Sequence, residues 1–262
     1  MPNDEQRMTN AGPRPLGRRV LGTVAFCQKD WFVTPRQHAK CARELHAWTA
    51  ECMASAGKSV RFMEELGTDH SIVRNAIAAK FWGNWLLQLD CDHTFLPNIL
   101  QRMLAVFQER KLDVLTGLYY QKKPPYLPVI YTWNDRTQLF EHMASWPGEV
   151  FRVDGAGGGC LLVRRGVFGQ LARLREIVAE RGSPSERPIP ASAFGQPFDR
   201  IPEWEMSEDL SFFYRCYLAG IKVWAHPGVV CHHLTSQEIG PTHFAETSAC
   251  LPKSEVKLEV LS

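Results

Sequence analysis

Apolar positions along this chain follow two periods in turn, and its first third reads as strand, helix, strand, helix, strand. Val20 to Phe26 is an apolar run of strand length. Thr34-Pro35-Arg36-Gln37 carries helix-start chemistry: a hydroxyl cap, a proline at the first helical position and a glutamine closing a capping box. Cys41, Leu45, Trp48 and Cys52 then recur on one helical face, and Gly57 stops the helix. Val60 to Phe62 is a second strand, and Ser71 to Phe81 a second helix with Ile72, Ala76 and Ala79 on one side. Trp85-Leu86-Leu87-Gln88-Leu89 is a third, nearly continuous apolar run. Beyond it, Ile99, Leu100, Met103, Leu104 and Phe107 keep helical spacing after Pro97. Such alternation predicts an α/β fold with parallel strands joined by helical crossovers.

The second half is patterned differently. Val114 to Tyr119, Val129 to Trp133, Val150 to Val153 and Cys160 to Val163 read as short strands separated by long loops, one of them the Lys122-Lys123-Pro124-Pro125 turn. A helix is expected from Val167 to about Arg181, then a mobile loop over 182–202, where Pro, Ser and Gly replace any periodicity. Ser207 caps an amphipathic helix with Leu210, Phe213, Tyr214, Tyr217 and Leu218 inward, and Gly220 ends it. Ile221 to Trp224 and Val229 to Cys231 are strands again. No internal repeat is present.

Composition narrows the class. The 262 residues are 45% apolar with eight tryptophans, enough for a packed core. A net charge of +2 is too small for a dedicated nucleic-acid binder, yet it allows an anionic substrate. The eight cysteines include no C-x-x-C pair, which points to reduced thiols rather than a disulfide framework or a zinc site. No apolar stretch reaches the ~18 residues of a membrane helix. Met-Pro-Asn-Asp-Glu opens the chain without an apolar leader, so the expectation is a cytoplasmic protein with no membrane partner.

Five constellations can carry chemistry. Asp90 and Asp92 end the third strand, before a helix, where open α/β sheets bind ligands. Carboxylates there fit either solvated loop residues or a hard divalent cation on a diphosphate. Gly155-Ala156-Gly157-Gly158-Gly159 leads into a strand and not a helix, so it is no dinucleotide fingerprint. It fits a bulge, or a backbone that a ligand approaches closely. Glu208 and Asp209 open a helix, where they compensate its dipole or serve as a general base. His232-His233 ends a strand; alternation lets only one of the two imidazoles face a given site, and imidazole binds Mn²⁺ beside carboxylates. Arg74-Asn75 sits in the first turn of the second helix, as an exposed arginine or a diphosphate contact.

Taken in order, Arg74-Asn75, Leu89-Asp90-Cys91-Asp92, Gly155 to Val163, Glu208-Asp209 and His233 resemble the GT-A nucleotide-sugar glycosyltransferases, specifically the family-2-like inverting group. The resemblance spans residues 19 to 236. It implies a GT-A (Rossmann-like) three-layer sandwich with a mostly parallel central sheet and a smaller acceptor-side β subregion. Residues 19–112 would form the nucleotide-binding half and 113–242 the acceptor half, between an arm at 1–18 and a tail at 243–262. It further implies Mn²⁺ or Mg²⁺ held by Asp90, Asp92 and His233 on a UDP-sugar donor. Asp209, with Glu208 beside it, would be the base that activates an acceptor hydroxyl.

Phe26, Gln28 and Glu64 would then lie near the nucleobase, Arg74 and Asp90 near the donor, and Gly157, Gly158 and the loop at Trp204 near the sugar and acceptor. The chain departs from the family at two places. Phe26-Cys27-Gln28 stands where a Pro-Thr-Tyr-Asn turn is usual, and Glu64-Glu65 where an aspartate is commoner. The acceptor is open among a soluble glycan, a small molecule and a hydroxymethylated DNA base; basic Arg14, Arg18, Arg19, Lys122 and Lys123 motivate the last. Two alternatives stand beside the transferase: a metal-dependent phosphohydrolase or nucleotidyltransferase, and a non-catalytic sugar-nucleotide-binding homologue. The first gives Glu208-Asp209 no role.

Overall fold

The computed structural model describes residues 19–29, 35–54, 57–185, 187–235 and 238–248. The arm at 1–18, Thr34 and the tail beyond 248 lie outside the described residues. The first half alternates as its pattern predicts: β1 (Arg19–Lys29), α1 (Arg36–Ala54), β2 (Lys58–Gly67), α2 (His70–Lys80), β3 (Trp85–Asp90), the two-residue β4 (His93–Thr94) and α3 (Ile99–Glu109). The second half adds β5 (Val114–Leu118), β6 (Ile130–Asn134), β7 (Leu139–His142), β8 (Phe151–Val153), β9 (Gly155–Ala156) and β10 (Cys160–Arg164). Then come α4 (Arg165–Ala172), α5 (Leu174–Arg181), α6 (Glu208–Ala219), β11 (Val223–Val230), β12 (His232–Leu234), β13 (Glu238–Ile239) and α7 (Pro241–Ser248).

Seven strands form the central sheet in the order β2-β1-β3-β10-β5-β11-β8. The pairings β1–β2, β1–β3 and β5–β11 are parallel, whereas β10 runs against β3 and β5, and β8 against β11. Two three-stranded antiparallel sheets, β13-β12-β4 and β7-β6-β9, flank it. The fold is thus mixed α/β with a mostly parallel centre, as expected.

Strand alternation makes the sheet two-faced. Leu87 and Leu89 of β3 and Leu162 of β10 pack with Met103 and Phe107 of α3 and Leu45 of α1. Leu161 and Val163 of β10 point the other way, against Val167 and Leu171 of α4 and Phe212 and Phe213 of α6. Both faces are covered, which explains why β3 reads as one apolar run. Among the described residues no helix is long and apolar enough to cross a membrane.

Several expectations are corrected. The inner face of α1 carries buried His38, Leu45 and Thr49, while Trp48 is 43% exposed and Cys52 is exposed. The inner face of α2 carries Val73, Arg74 and Ile77, while Ile72 is 58% exposed. The cause is common to both helices: a buried histidine and a buried arginine stand where a hydropathy pattern scores a polar residue as outward. The helix expected from Val167 to Arg181 is two helices meeting at Arg173. The strands expected at 221–224 and 229–231 are one irregular strand, β11.

The segment 182–202 differs most from its expectation. Ala193, Phe198 and Ile201 are fully buried, and Phe198 stacks on Phe212 of α6 with centroids 4.7 Å apart. Arg215 of α6, itself buried, donates to the carbonyls of Ala193 (3.0 Å), Ser192 (2.8 Å), Pro197 (3.3 Å) and Asp199 (2.7 Å). One guanidinium thus solvates four backbone carbonyls that regular structure would otherwise satisfy. Phe198→Ala is expected to cost about 3–5 kcal/mol, the usual range for emptying a buried aromatic site. Urea denaturation measures it; a loss below about 1 kcal/mol, the size of a surface change, would mean that the segment is loosely held.

Candidate functional site

The site forms where β1, β3 and β5 end on the same edge of the sheet. After Asp90 the chain turns, and β4 pairs antiparallel with β12 in a register that sets His93 opposite His233. Directly opposed residues share a face. The two rings lie 4.1 Å apart, and the backbone N–H of Leu234 donates to the Asp92 carbonyl at 2.7 Å. One carboxylate oxygen of Asp92 and one nitrogen from each of His93 and His233 therefore lie within 4.8 Å of one another.

These atoms are poorly provided for by the protein itself. His93 is fully buried, and neither of its ring nitrogens has a hydrogen-bond partner among the described residues. Asp92 Oδ1 lies 2.9 Å from His93 Nδ1, and no other group among the described residues is paired with it. A buried unsatisfied polar atom costs about 1–3 kcal/mol. A divalent cation would satisfy them. Two imidazole nitrogens with a carboxylate suit Mn²⁺ better than Mg²⁺, which prefers an all-oxygen shell. His233 Nδ1 contacts the Tyr120 carbonyl, an acceptor only, so Nδ1 carries the proton and Nε2 is left as a ligand. Burial, with His93 beside it, pushes His233 down to about 4, so its ring is neutral at pH 7. The Asp92 carboxyl, although burial raises it, is held well below the usual range by His93 and Lys122, and it is ionised.

Asp90 sits apart from that cluster. Arg74, 1% exposed, grips both of its oxygens through Nη2 at 3.0 Å. Arg74 Nη1 donates to the Gly158 carbonyl (3.0 Å) and to Gln88 Oε1 (3.2 Å), and Nε lies 3.3 Å from Asp209 Oδ1 and 3.9 Å from Glu208 Oε1. One cation faces three carboxylates. His70, 3.3 Å from Glu208, and Arg200, 3.8 Å from it, stand at the rim. The two acids at the start of α6 titrate apart as a result. Burial raises Glu208, but the His70 contact and the Arg74 charge outweigh it and hold its carboxyl near 2. Burial raises Asp209 more than Arg74 lowers it, and Glu208 and Asp90 add to the rise, which brings it to about 6.

The glycine run serves this packing. A Cβ on Gly158 would lie 2.5 Å from both Arg74 Cζ and Asp209 Oδ1; on Gly157, 1.6 Å from the Tyr119 hydroxyl; on Gly159, 2.7 Å from His93 Cε1. The space beside Gly157 and Gly158, expected to admit a ligand, is filled by the side chains of the site itself.

A cavity of about 470 Å³ opens here, lined by His70, Arg74, Asp90, Asp92, Asp209 and His233, with Lys122, Lys123 and Tyr119 also at its walls. Phe26, Gln28 and Glu64 do not line it. Phe26 and Glu64 are register partners on β1 and β2, and Phe26 lies parallel to Phe95 at 6.5 Å and edge-on to His38 at 5.4 Å. Glu208 joins only through Arg74 and His70, and Trp204 packs edge-on against Tyr214 at 4.9 Å. Sequence reasoning missed His93, Lys122 and His70. The signal for His93 was its place directly after Asp92, but its value depends on the β4–β12 register, which is not local.

No family model and no curated protein sequence matches the chain. Among solved structures 222 chains match it. One is the crystal structure of GalNAc-T7 with UDP, GalNAc and Mn²⁺, with a TM-score of 0.47 and 13% identity over 82% of this chain and 43% of that one. The chain thus spans less than half the length of that protein. At that distance, the chemistry of the site rests on the residues described above.

Arg74→Met would leave Asp90 and Asp209, both largely shielded from solvent, without their counter-charge. Breaking a buried ion network by removing one partner costs roughly 3–5 kcal/mol, and that is the expected loss at pH 7. Arg74 is what holds the raised Asp209 carboxyl down, so without it Asp209 titrates higher still, and the loss should shrink as pH falls towards 5 and Asp209 takes up a proton. Urea unfolding of both proteins across this range measures it; a small, pH-independent difference would show that the network is solvated.

Proposed function

We propose that the chain is a metal-dependent glycosyltransferase that moves a sugar from a UDP-sugar to an acceptor hydroxyl with inversion. The observation that carries this reading is that two distinct functions meet at one cavity: Asp92 and His233 of the Asp92–His93–His233 ligand set line it, with His93 fully buried beside them, and so does the raised carboxyl of Asp209.

Mn²⁺ bound by Asp92, His93 and His233 would supply positive charge to the diphosphate as it leaves. The residues of the chain do the rest. Lys122 and Lys123 bring ammonium groups to the wall where that diphosphate lies. Asp209, fixed by Arg74 and by the start of α6, takes the proton of the acceptor hydroxyl as its oxygen bonds to the anomeric carbon. The bond from that carbon to the diphosphate breaks on the opposite face, and its electron pair leaves with the phosphate. Asp90, expected as a metal ligand, has the role of fixing Arg74 and through it Asp209. The nucleoside would extend out of the cavity towards Phe26 and Gln28 at the end of β1, which runs beside Asp90 of β3 and pairs Phe26 with Glu64 of β2.

Incubation with radiolabelled UDP-sugars and Mn²⁺, against glycan and hydroxymethyl-DNA acceptors, tests the reading; no transfer to any acceptor and no donor hydrolysis would count against it. Asp209→Asn is expected to keep UDP binding and to lose transfer by about 10²- to 10⁴-fold, the usual contribution of a general base. In the unmodified protein kcat/KM should fall as pH drops through about 6, because Asp209 must be ionised to accept the proton. A flat profile between pH 5 and 8 would point to another base.

The histidines separate cleanly. His93→Ala and His233→Ala should each raise the Mn²⁺ concentration needed for half-maximal turnover. His232→Ala should do so much less, since its ring lies on the other face of β12, where a Cβ on Gly240 would meet it at 2.9 Å. A Mn²⁺ titration of each single variant decides it, and a larger shift for His232 would reverse the assignment.

A further inference from the structure

The ammonium of Lys122 rests on Asp92 Oδ2, while Asp92 Oδ1 faces His93. The carboxylate that heads the ligand set is therefore already paired with a cation that the chain itself supplies. Lys122 comes from the turn between β5 and β6, and the backbone of that turn is closed. Tyr120 bridges Pro128, the Gln121 amide donates to the Leu127 carbonyl at 2.9 Å, and the Tyr126 amide to the Lys123 carbonyl at 2.9 Å. The same turn anchors His233 through the Tyr120 carbonyl. The backbone of Lys122 is thus fixed relative to the ligand set, and only its four-carbon stem has freedom. Its side chain is 41% exposed, so it has somewhere to go, and the cavity beside it is the one in which Lys123 also stands.

We infer that Lys122 is a built-in competitor for the divalent cation, and that the same side chain, once displaced, becomes a ligand of the donor diphosphate. A dication cannot enter beside an ammonium on the same carboxylate without repelling it. Metal alone binds at a disadvantage, because the expelled ammonium exchanges a carboxylate partner for water. When a nucleoside diphosphate arrives with the metal, the ammonium exchanges one anion for another and that disadvantage disappears. The contact makes metal and diphosphate binding mutually dependent, and linkage makes the dependence reciprocal. It discourages the resting site from loading metal without a donor. This inference rests on the reading of the site as one for metal and diphosphate, and it concerns that site's regulation.

Lys122→Gln separates the two roles. Mn²⁺ binding is measured by electron paramagnetic resonance or calorimetry, with and without UDP, for the unmodified protein, Lys122→Gln and Asp92→Ala. In Lys122→Gln, Mn²⁺ alone should bind tighter by about fivefold or more, the lower end of typical coupling, and the gain in Mn²⁺ affinity on adding UDP should shrink by a similar factor. Unchanged or weaker Mn²⁺ binding in Lys122→Gln, with binding still lost in Asp92→Ala, would overturn the role of Lys122 and leave the metal site standing. If Mn²⁺ binds neither the unmodified protein nor Lys122→Gln, with or without UDP, the metal reading fails and this inference falls with it.

Discussion

The site depends on one interaction, the burial of Arg74 among three carboxylates. Asp90 closes β3, Asp209 and Glu208 open α6, and the Gly158 carbonyl lies within the glycine run; each reaches the same guanidinium. None of these acids could sit so close to the others in a poorly solvated place without it. Arginine suits the task better than lysine, because Nη2 alone holds both oxygens of Asp90 while Nη1 and Nε of the same planar group reach further partners. The glycines follow from this demand: a side chain at 158 would occupy the space of the guanidinium.

A division of labour follows between two aspartates that are one residue apart. Asp90 turns to Arg74, which donates to both of its oxygens. Asp92 turns to the His93–His233 pair, where atoms are left unsatisfied. Both oxygens of the first are taken by one guanidinium, which makes it a positioning element; the second stands beside two imidazoles in a geometry that suits a cation. The unequal titration of Glu208 and Asp209 has the same origin. The acid that His70 and Arg74 both reach stays low, while Asp209, which shares Arg74 with Asp90 and has Glu208 beside it, rises.

Much of this was legible in the sequence where the physics is local. The strand–helix alternation, the apolar run into Asp90, the Ser207 cap and the Gly220 stop are all set by neighbouring residues, and the structure has them in place. What was not legible depends on partners distant in the chain. Arg74 scored as an outward residue because its carboxylates lie on β3 and α6; His38 scored likewise because its acceptor is the carbonyl of His93, 55 residues away. The segment 182–202 looked unstructured because its backbone is solvated by Arg215 rather than by a regular ladder. His93 gains its place only through the β4–β12 register.

A crystal structure of the chain grown with Mn²⁺ and UDP would test the division between the two aspartates most directly. The expected result is an anomalous Mn²⁺ peak bound by Asp92, His93 and His233, with both Asp90 oxygens still held by Arg74. A peak bridging Asp90 and Asp92 with the Arg74 fork broken, or one that leaves His93 unliganded, would contradict it.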